Sequence, residues 1–151
     1  MLAFLASGCN SAREVSSAIA TTDFEVSCLN CDNGVQLLRS WGKGNNKSDA
    51  LTQCRKAALE AVLFRGITKG SGNCSPKPLL PAANARENNR DFFNNFFSTK
   101  GAWKKFARLD EKRGSRLASK NSTIENWEAT VSVDRNALAQ YLMENGFQVA
   151  L

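Results

Sequence analysis

Apolar positions recur along this chain at two periods, and each change of period marks an element. Over residues 22–29, Phe24, Val26 and Cys28 alternate with polar neighbours, the pattern of a strand with one buried face. Asp32, Asn33 and Gly34 then turn the chain into residues 35–41, a short apolar run followed by Gly42 and Gly44. This predicts an antiparallel hairpin with a loop longer than the minimal two residues, and then a glycine-rich turn. From residue 48 the period lengthens. Ala50, Leu51, Cys54, Ala57, Ala58, Ala61 and Val62 share one side of a helix, and Gln53, Arg55, Lys56 and Glu60 share the other. Ser48 is placed to cap this helix, Asp49 suits its positive end, and Gly66 suits a left-handed close, so the predicted helix spans 48–65.

Residues 69–81 carry glycines and prolines on both sides of Cys74 and read as a loop. Residues 84–98 read as a second helix, in which Phe92, Phe93, Phe96 and Phe97 form a broad aromatic face for the core, completed by Trp103 and Phe106. Residues 104–120 are basic and read as a ribbon or a loop. Trp127, Ala129, Val131 and Val133 alternate with polar residues in a half-buried strand. Asp134 caps a last helix through Asn145, with Leu138, Tyr141 and Leu142 inward and Gly146 ending it, and residues 147–151 return as a short strand. Strands and helices in this order imply a two-layer α+β domain, with a mainly antiparallel sheet of three or four strands packed against amphipathic helices.

At 151 residues the chain has the length of one domain, and its 42% hydrophobic and 23% charged content is globular. No apolar run approaches the roughly 20 residues of a spanning helix. The formal charge of +6 and a pI near 9.3 suit an anionic partner. The cations concentrate in Lys104, Lys105, Arg108, Lys112, Arg113 and Arg116, which form the candidate binding face. Nucleic acid is disfavoured as the partner, because after Phe106 no aromatic residue interleaves with these charges until Trp127.

Five cysteines change the picture further. Ala6-Ser7-Gly8-Cys9, preceded by an apolar run, resembles the tail of a bacterial lipoprotein signal, in which the cysteine becomes lipidated. Residues 1–9 are therefore expected to be a partial signal ending at Cys9, the site of acyl chains such as palmitate; residues 10–21 a polar tether; and 22–151 the single domain. Cys28, Cys31, Cys54 and Cys74 remain, an even number that in an exported protein points to two disulfides. The hairpin turn and the loop carrying Cys74 should share one end of the sheet, which favours Cys31 with Cys74. Cys54, on the inward helix face, also suits a free buried thiol. Zinc is the alternative, but only Cys28-x-x-Cys31 has ligand spacing.

Several chemistries fail on the residues. The segment from Gly42 to Ser48 has the context of a phosphate loop, but Asn46 and Trp41 stand where glycines are needed. Ser40-x-x-Lys43 matches the nucleophile pair of penicillin-recognising enzymes without its companion motifs. The absence of histidine removes Ser-His and Cys-His activation. Two carboxylates would suffice for glycoside cleavage, yet no pair among the 14 acidic residues stands out.

Over residues 42–81 and 128–147 the chain resembles a group of small bacterial envelope lipoproteins related to antigenic outer-membrane lipoproteins and flagellar-assembly accessory domains. The residues that carry this are Gly42-x-Gly44, Arg55-Lys56-Ala57-Ala58, Phe64-Arg65-Gly66, Lys77-Pro78-Leu79, and Val131-Ser132-Val133-Asp134-Arg135 leading into Leu138 and Leu142. The resemblance implies a compact α+β domain held by lipid in the cell envelope, periplasm-facing or at the outer membrane. It implies assembly with other envelope proteins, without a cofactor or catalytic residues. The expected function is a non-enzymatic, lipid-anchored accessory or assembly protein. The alternatives are a periplasmic carboxylate-based enzyme acting on glycan and a basic module that binds anions or nucleic acid.

Overall fold

A computed structural model describes residues 25–117 and 123–151, and the side chains of 25–110 and 123–151. The fold is α+β, with a five-stranded, mostly antiparallel sheet on which the helices pack. The strands are β1 (Ser27–Asp32), β2 (Val35–Gly44), β3 (Lys69–Gly70), β4 (Ala107–Leu117) and β5 (Glu125–Asp134). Their spatial order is β3-β1-β2-β5-β4, and only the β1/β3 pair is parallel. The fifth strand beyond the expected three or four is β3, two residues inside the 69–81 loop, too short to show a period.

The hairpin between β1 and β2 closes through the two-residue loop Asn33-Gly34, not a longer one. Both residues have positive φ, 51° and 79°, which matches the twist of the flanking strands. The alternation over 22–29 predicts a strand that ends at Leu29. In the ladder Cys28 faces Leu38 and Asn30 faces Leu37, so Leu29 is an extra residue that shifts the register, and β1 continues through Cys31 to Asp32.

Gly42 and Gly44 lie within β2, paired with Trp127 and Glu125, and form no turn. Their lack of a side chain serves close packing: a Cβ on Gly42 would stand 2.2 Å from the Ala50 carbonyl oxygen, and one on Gly44 2.4 Å from the Ala50 nitrogen. Helix α1 (Lys47–Glu60) therefore seats directly on β2. Its cap is Asn46, whose side chain accepts from the Asp49 N–H at 2.9 Å, and Ser48 lies inside the first turn. The helix continues to Arg65, as expected, but its end widens into a π turn (Ala61–Arg65) closed by the Gly66 N–H on the Ala61 carbonyl at 2.7 Å.

Helix α1 lies on the sheet face that carries Gln36, Leu38 and Ser40 of β2 and Ala129, Val131 and Val133 of β5. The expected 84–98 helix is split into α2 (Ala85–Asn88) and α3 (Arg90–Phe96) at Asn89, whose backbone (φ −126°, ψ 41°) leaves the helical region. Phe93, Phe96, Phe97, Trp103 and Phe106 are buried as expected. Phe93 meets Phe64 edge-on at 5.0 Å, joining the end of α1 to α3. In helix α4 (Arg135–Glu144), Asp134 caps the first turn by accepting from the Ala137 N–H at 3.0 Å, and Tyr141 packs on Phe96 and Phe106. Residues 147–151 form no strand: the Ala150 N–H donates to the Leu79 carbonyl at 2.9 Å, a single link to the loop.

Candidate binding cleft

Among the described residues β1 accompanies β2 only as far as Arg39, and a cleft of about 710 Å³ lies beside the continuing part of β2. Strand β2 contributes Trp41, Gly42 and Lys43, and β5 contributes Asn126 and Trp127. One flank of α1 adds Gln53, Lys56, Ala57 and Glu60, and the far side is closed by Arg86, Asn94 and Phe97. Trp127 is the residue paired with Gly42 across the ladder, so the two share the face on which α1 seats. The indole is held at its edge and its face. Its Nε1–H donates to Glu125 Oε2 at 3.2 Å, and Lys47 Nζ stands 4.9 Å from the ring centre.

The charge of the lining is asymmetric. Lys43, Lys56 and Arg86 face a single carboxylate, Glu60, which forms an ion pair with Arg86. Arg86 also stacks over Phe97 at 5.0 Å. Aromatic faces, amide side chains and unbalanced cations together suit a ligand that presents a ring with an apolar face, hydroxyl or amide groups, and negative charge. A smaller depression of about 400 Å³ shares Lys43 and Gln53 and extends the surface past Asp49 to the exposed Ile124.

The residues singled out in the sequence fall elsewhere. Cys9 lies outside the described residues. The bridge joins Cys28 to Cys74, not Cys31 to Cys74, and Cys31 and Cys54 are free thiols. The displaced pairing has a physical reason: β3 pairs in parallel with the start of β1, Lys69 with Ser27 and Gly70 with Cys28, which sets the segment leading to Cys74 beside Cys28. Cys54 is fully buried, its Sγ 3.4 Å from the Trp127 carbonyl, and burial pushes its thiol up to about 12, with the Glu128 carboxylate adding to the effect. Among the described residues no group of three His, Cys, Asp or Glu is placed to hold a metal ion.

Lys104 and Lys105 sit on a 3₁₀ turn (Ala102–Lys105), and Arg108, the second residue of β4, is exposed. Lys112, Arg113 and Arg116 belong to the backbone of β4, and their side chains lie outside the described set. Arg55, which the sequence assigned only to an exposed face, donates to the carbonyls of Ala107 (2.9 Å) and Lys104 (3.2 Å) and stacks on Trp103 at 4.6 Å; burial lowers its pKa. Ser40 and Lys43 are three apart on a regular strand and so point to opposite faces. The Ser40 hydroxyl donates to the Cys54 carbonyl at 2.8 Å, so the pair forms no nucleophile site.

The cleft itself escaped the sequence reading. Its residues come from five separate segments, and Trp127 falls on the core-facing alternation of its strand, where a lone tryptophan reads as packing. Among the described residues no helix is long and apolar enough to cross a membrane. Comparisons with protein-family models, curated proteins and solved structures found no match to this chain.

Proposed function

We propose that this chain is a non-catalytic accessory protein of the bacterial cell envelope, exported, anchored by lipid on Cys9, and binding an anionic, sugar-bearing envelope polymer in the Trp127 cleft. The observation that carries this reading is the Cys28–Cys74 disulfide, which ties β1 to a loop 46 residues away in sequence and is buried at both ends. Such bonds form and persist in oxidising compartments, outside the cytosol. The lipoprotein-like Ala6-Ser7-Gly8-Cys9 supports the same address by a separate signal. The lining of the cleft supports the choice of partner: pyranose rings present an apolar face to indoles, and amides and lysines take up the remaining polar and anionic groups.

The test is cosedimentation of the full chain with purified cell-wall sacculi. The wild-type protein is expected to pellet with sacculi at low salt and to be released as salt rises. Trp127→Ala should weaken binding about tenfold, the equivalent of roughly 1.4 kcal/mol. A wild-type protein that stays in the supernatant at low salt, or a Trp127→Ala variant that binds unchanged, contradicts the proposal.

A further inference from the structure

Residues three apart on a regular strand point to opposite faces of the sheet. In β1 the extra residue at Leu29 cancels that rule: Cys28 pairs with Leu38 and Cys31 with Gln36, two positions apart on β2 and both buried on the helix-bearing face. Cys28 and Cys31 therefore share that face, with Cα atoms roughly 7 Å apart along the strand. The segment carrying Cys74 runs beside both. The Cys74 N–H donates to Cys28 Sγ at 3.2 Å, Cys74 Sγ lies 3.5 Å from the Asn30 carbonyl, and the Cys31 N–H donates to Asn73 Oδ1 at 3.2 Å.

A second feature converges on the same place. Arg135 is anchored at the hairpin through its N–H on the Gly34 carbonyl at 3.0 Å, and its side chain is 8% exposed. One terminal nitrogen donates to the carbonyls of Lys77 and Ala150, while Nε–H has no partner among the described residues. The side-chain oxygen of Gln36, the strand partner of Cys31, is likewise buried and unpartnered. Burial lowers the Arg135 pKa.

We propose that Cys31 is the nucleophile of an internal thiol–disulfide exchange that transfers Cys74 from Cys28 to itself. The Cys31 thiol gives its proton to solvent, and its thiolate attacks Cys74 Sγ. The Cys31–Cys74 bond forms as the Cys28–Cys74 bond breaks, and the leaving electron pair remains on Cys28 Sγ, which takes a proton from solvent. One disulfide replaces another, so no oxidant or reductant is consumed. The exchange moves the pinning point of the loop two ladder positions towards the hairpin, and draws on the β3 pairing of Lys69 and Gly70 with Ser27 and Cys28.

The test uses the full oxidised chain with Cys9→Ser, so that the thiol at position 9 takes no part. The folded protein is incubated near pH 8, about the usual range of a free thiol. Free thiols are then blocked, the protein is reduced, the released thiols take a second label, and tandem mass spectrometry reads Cys28, Cys31 and Cys74. The expected result is a second population in which Cys28 is free and Cys31 is protected with Cys74, whereas Cys31→Ser keeps Cys28 protected throughout. In Cys28→Ser oxidised with glutathione, the unreduced intact mass should show a chain two hydrogens lighter and free of bound glutathione, the mark of a Cys31–Cys74 bond. Protection of Cys31 with Cys74 in the chain that retains Cys28 supports the exchange, and a Cys31 that stays free in every molecule of that chain overturns it.

Discussion

Gly42 and Cys54 lie in direct backbone contact: a Cβ at position 42 would stand 2.6 Å from the Cys54 nitrogen, as well as 2.2 Å from the Ala50 carbonyl oxygen. The missing side chain sets the distance between α1 and the sheet, and so also the depth of the cleft that Gly42 lines. Gly42→Ala forces backbone against backbone, where no rotamer change can relieve the overlap, and is expected to cost about 2–3 kcal/mol. Lys43→Ala, next in sequence and exposed, should stay within about 0.5 kcal/mol of wild type. Guanidinium unfolding of the three proteins checks both values. A Gly42→Ala midpoint equal to that of wild type would show that α1 can lift from β2 at no cost.

The start of α1 gives a paired prediction. Asn46 accepts from the Asp49 N–H, and Ser48 does not cap. Asn46→Ala is expected to lower stability by about 1 kcal/mol, while Ser48→Ala changes it by less than about 0.5 kcal/mol. Urea unfolding of the two variants distinguishes the caps.

The buried Cys54 thiol makes stability depend on alkaline pH. Its ordinary value of 9.0 applies to the unfolded chain, whereas burial holds the folded value near 12. Between those values the unfolded state has lost the proton and the folded state retains it, so the unfolded state binds fewer protons and stability falls as pH rises. The Cys54 contribution is intact below about pH 9 and declines by about 1.4 kcal/mol per pH unit up to about 12. The difference in unfolding free energy between wild type and Cys54→Ala isolates this slope from lysines and tyrosine, which are common to both. A difference that does not vary across this range would mean that water reaches the thiol.

Removing the cysteine common to both disulfide pairings has a simple expectation. Cys74→Ser releases the loop from β1 and should lower stability by about 2–4 kcal/mol, chiefly by freeing the unfolded chain. Thermal unfolding with and without reductant checks it: reductant should lower the wild-type midpoint to that of the variant and leave Cys74→Ser unmoved.

Where a local pattern had one cause, the sequence could be read. The apolar faces of 48–65 and 134–145 follow from a single helical period, and the alternation at 127–133 from a single buried sheet face, so these elements and the α+β class are legible. The aromatic run at Phe92 to Phe97 announces burial, but nothing in it announces the break at Asn89, because the asparagine could equally stand inside a helix. Glycine is ambiguous in the same way. At Gly34 it marks a turn, whereas at Gly42 and Gly44 it marks the approach of a helix, and local sequence does not say which partner lies above. The disulfide was misplaced because the strand that sets its loop beside Cys28 is β3, two residues long, too short to leave a period in the sequence. The cleft depends on residues as far apart as Trp41, Arg86 and Trp127, each ordinary within its own segment.

The central claim, an exported lipid-anchored protein carrying one structural disulfide, is tested most directly by the intact mass of the protein purified from its native cells, denatured and thiol-labelled before and after reduction. The account predicts a chain beginning at Cys9 with acyl chains attached, two thiols that label at once, and two that label only after reduction. An unacylated chain whose cysteines all label without reduction would contradict it, and would place the protein in a reducing compartment.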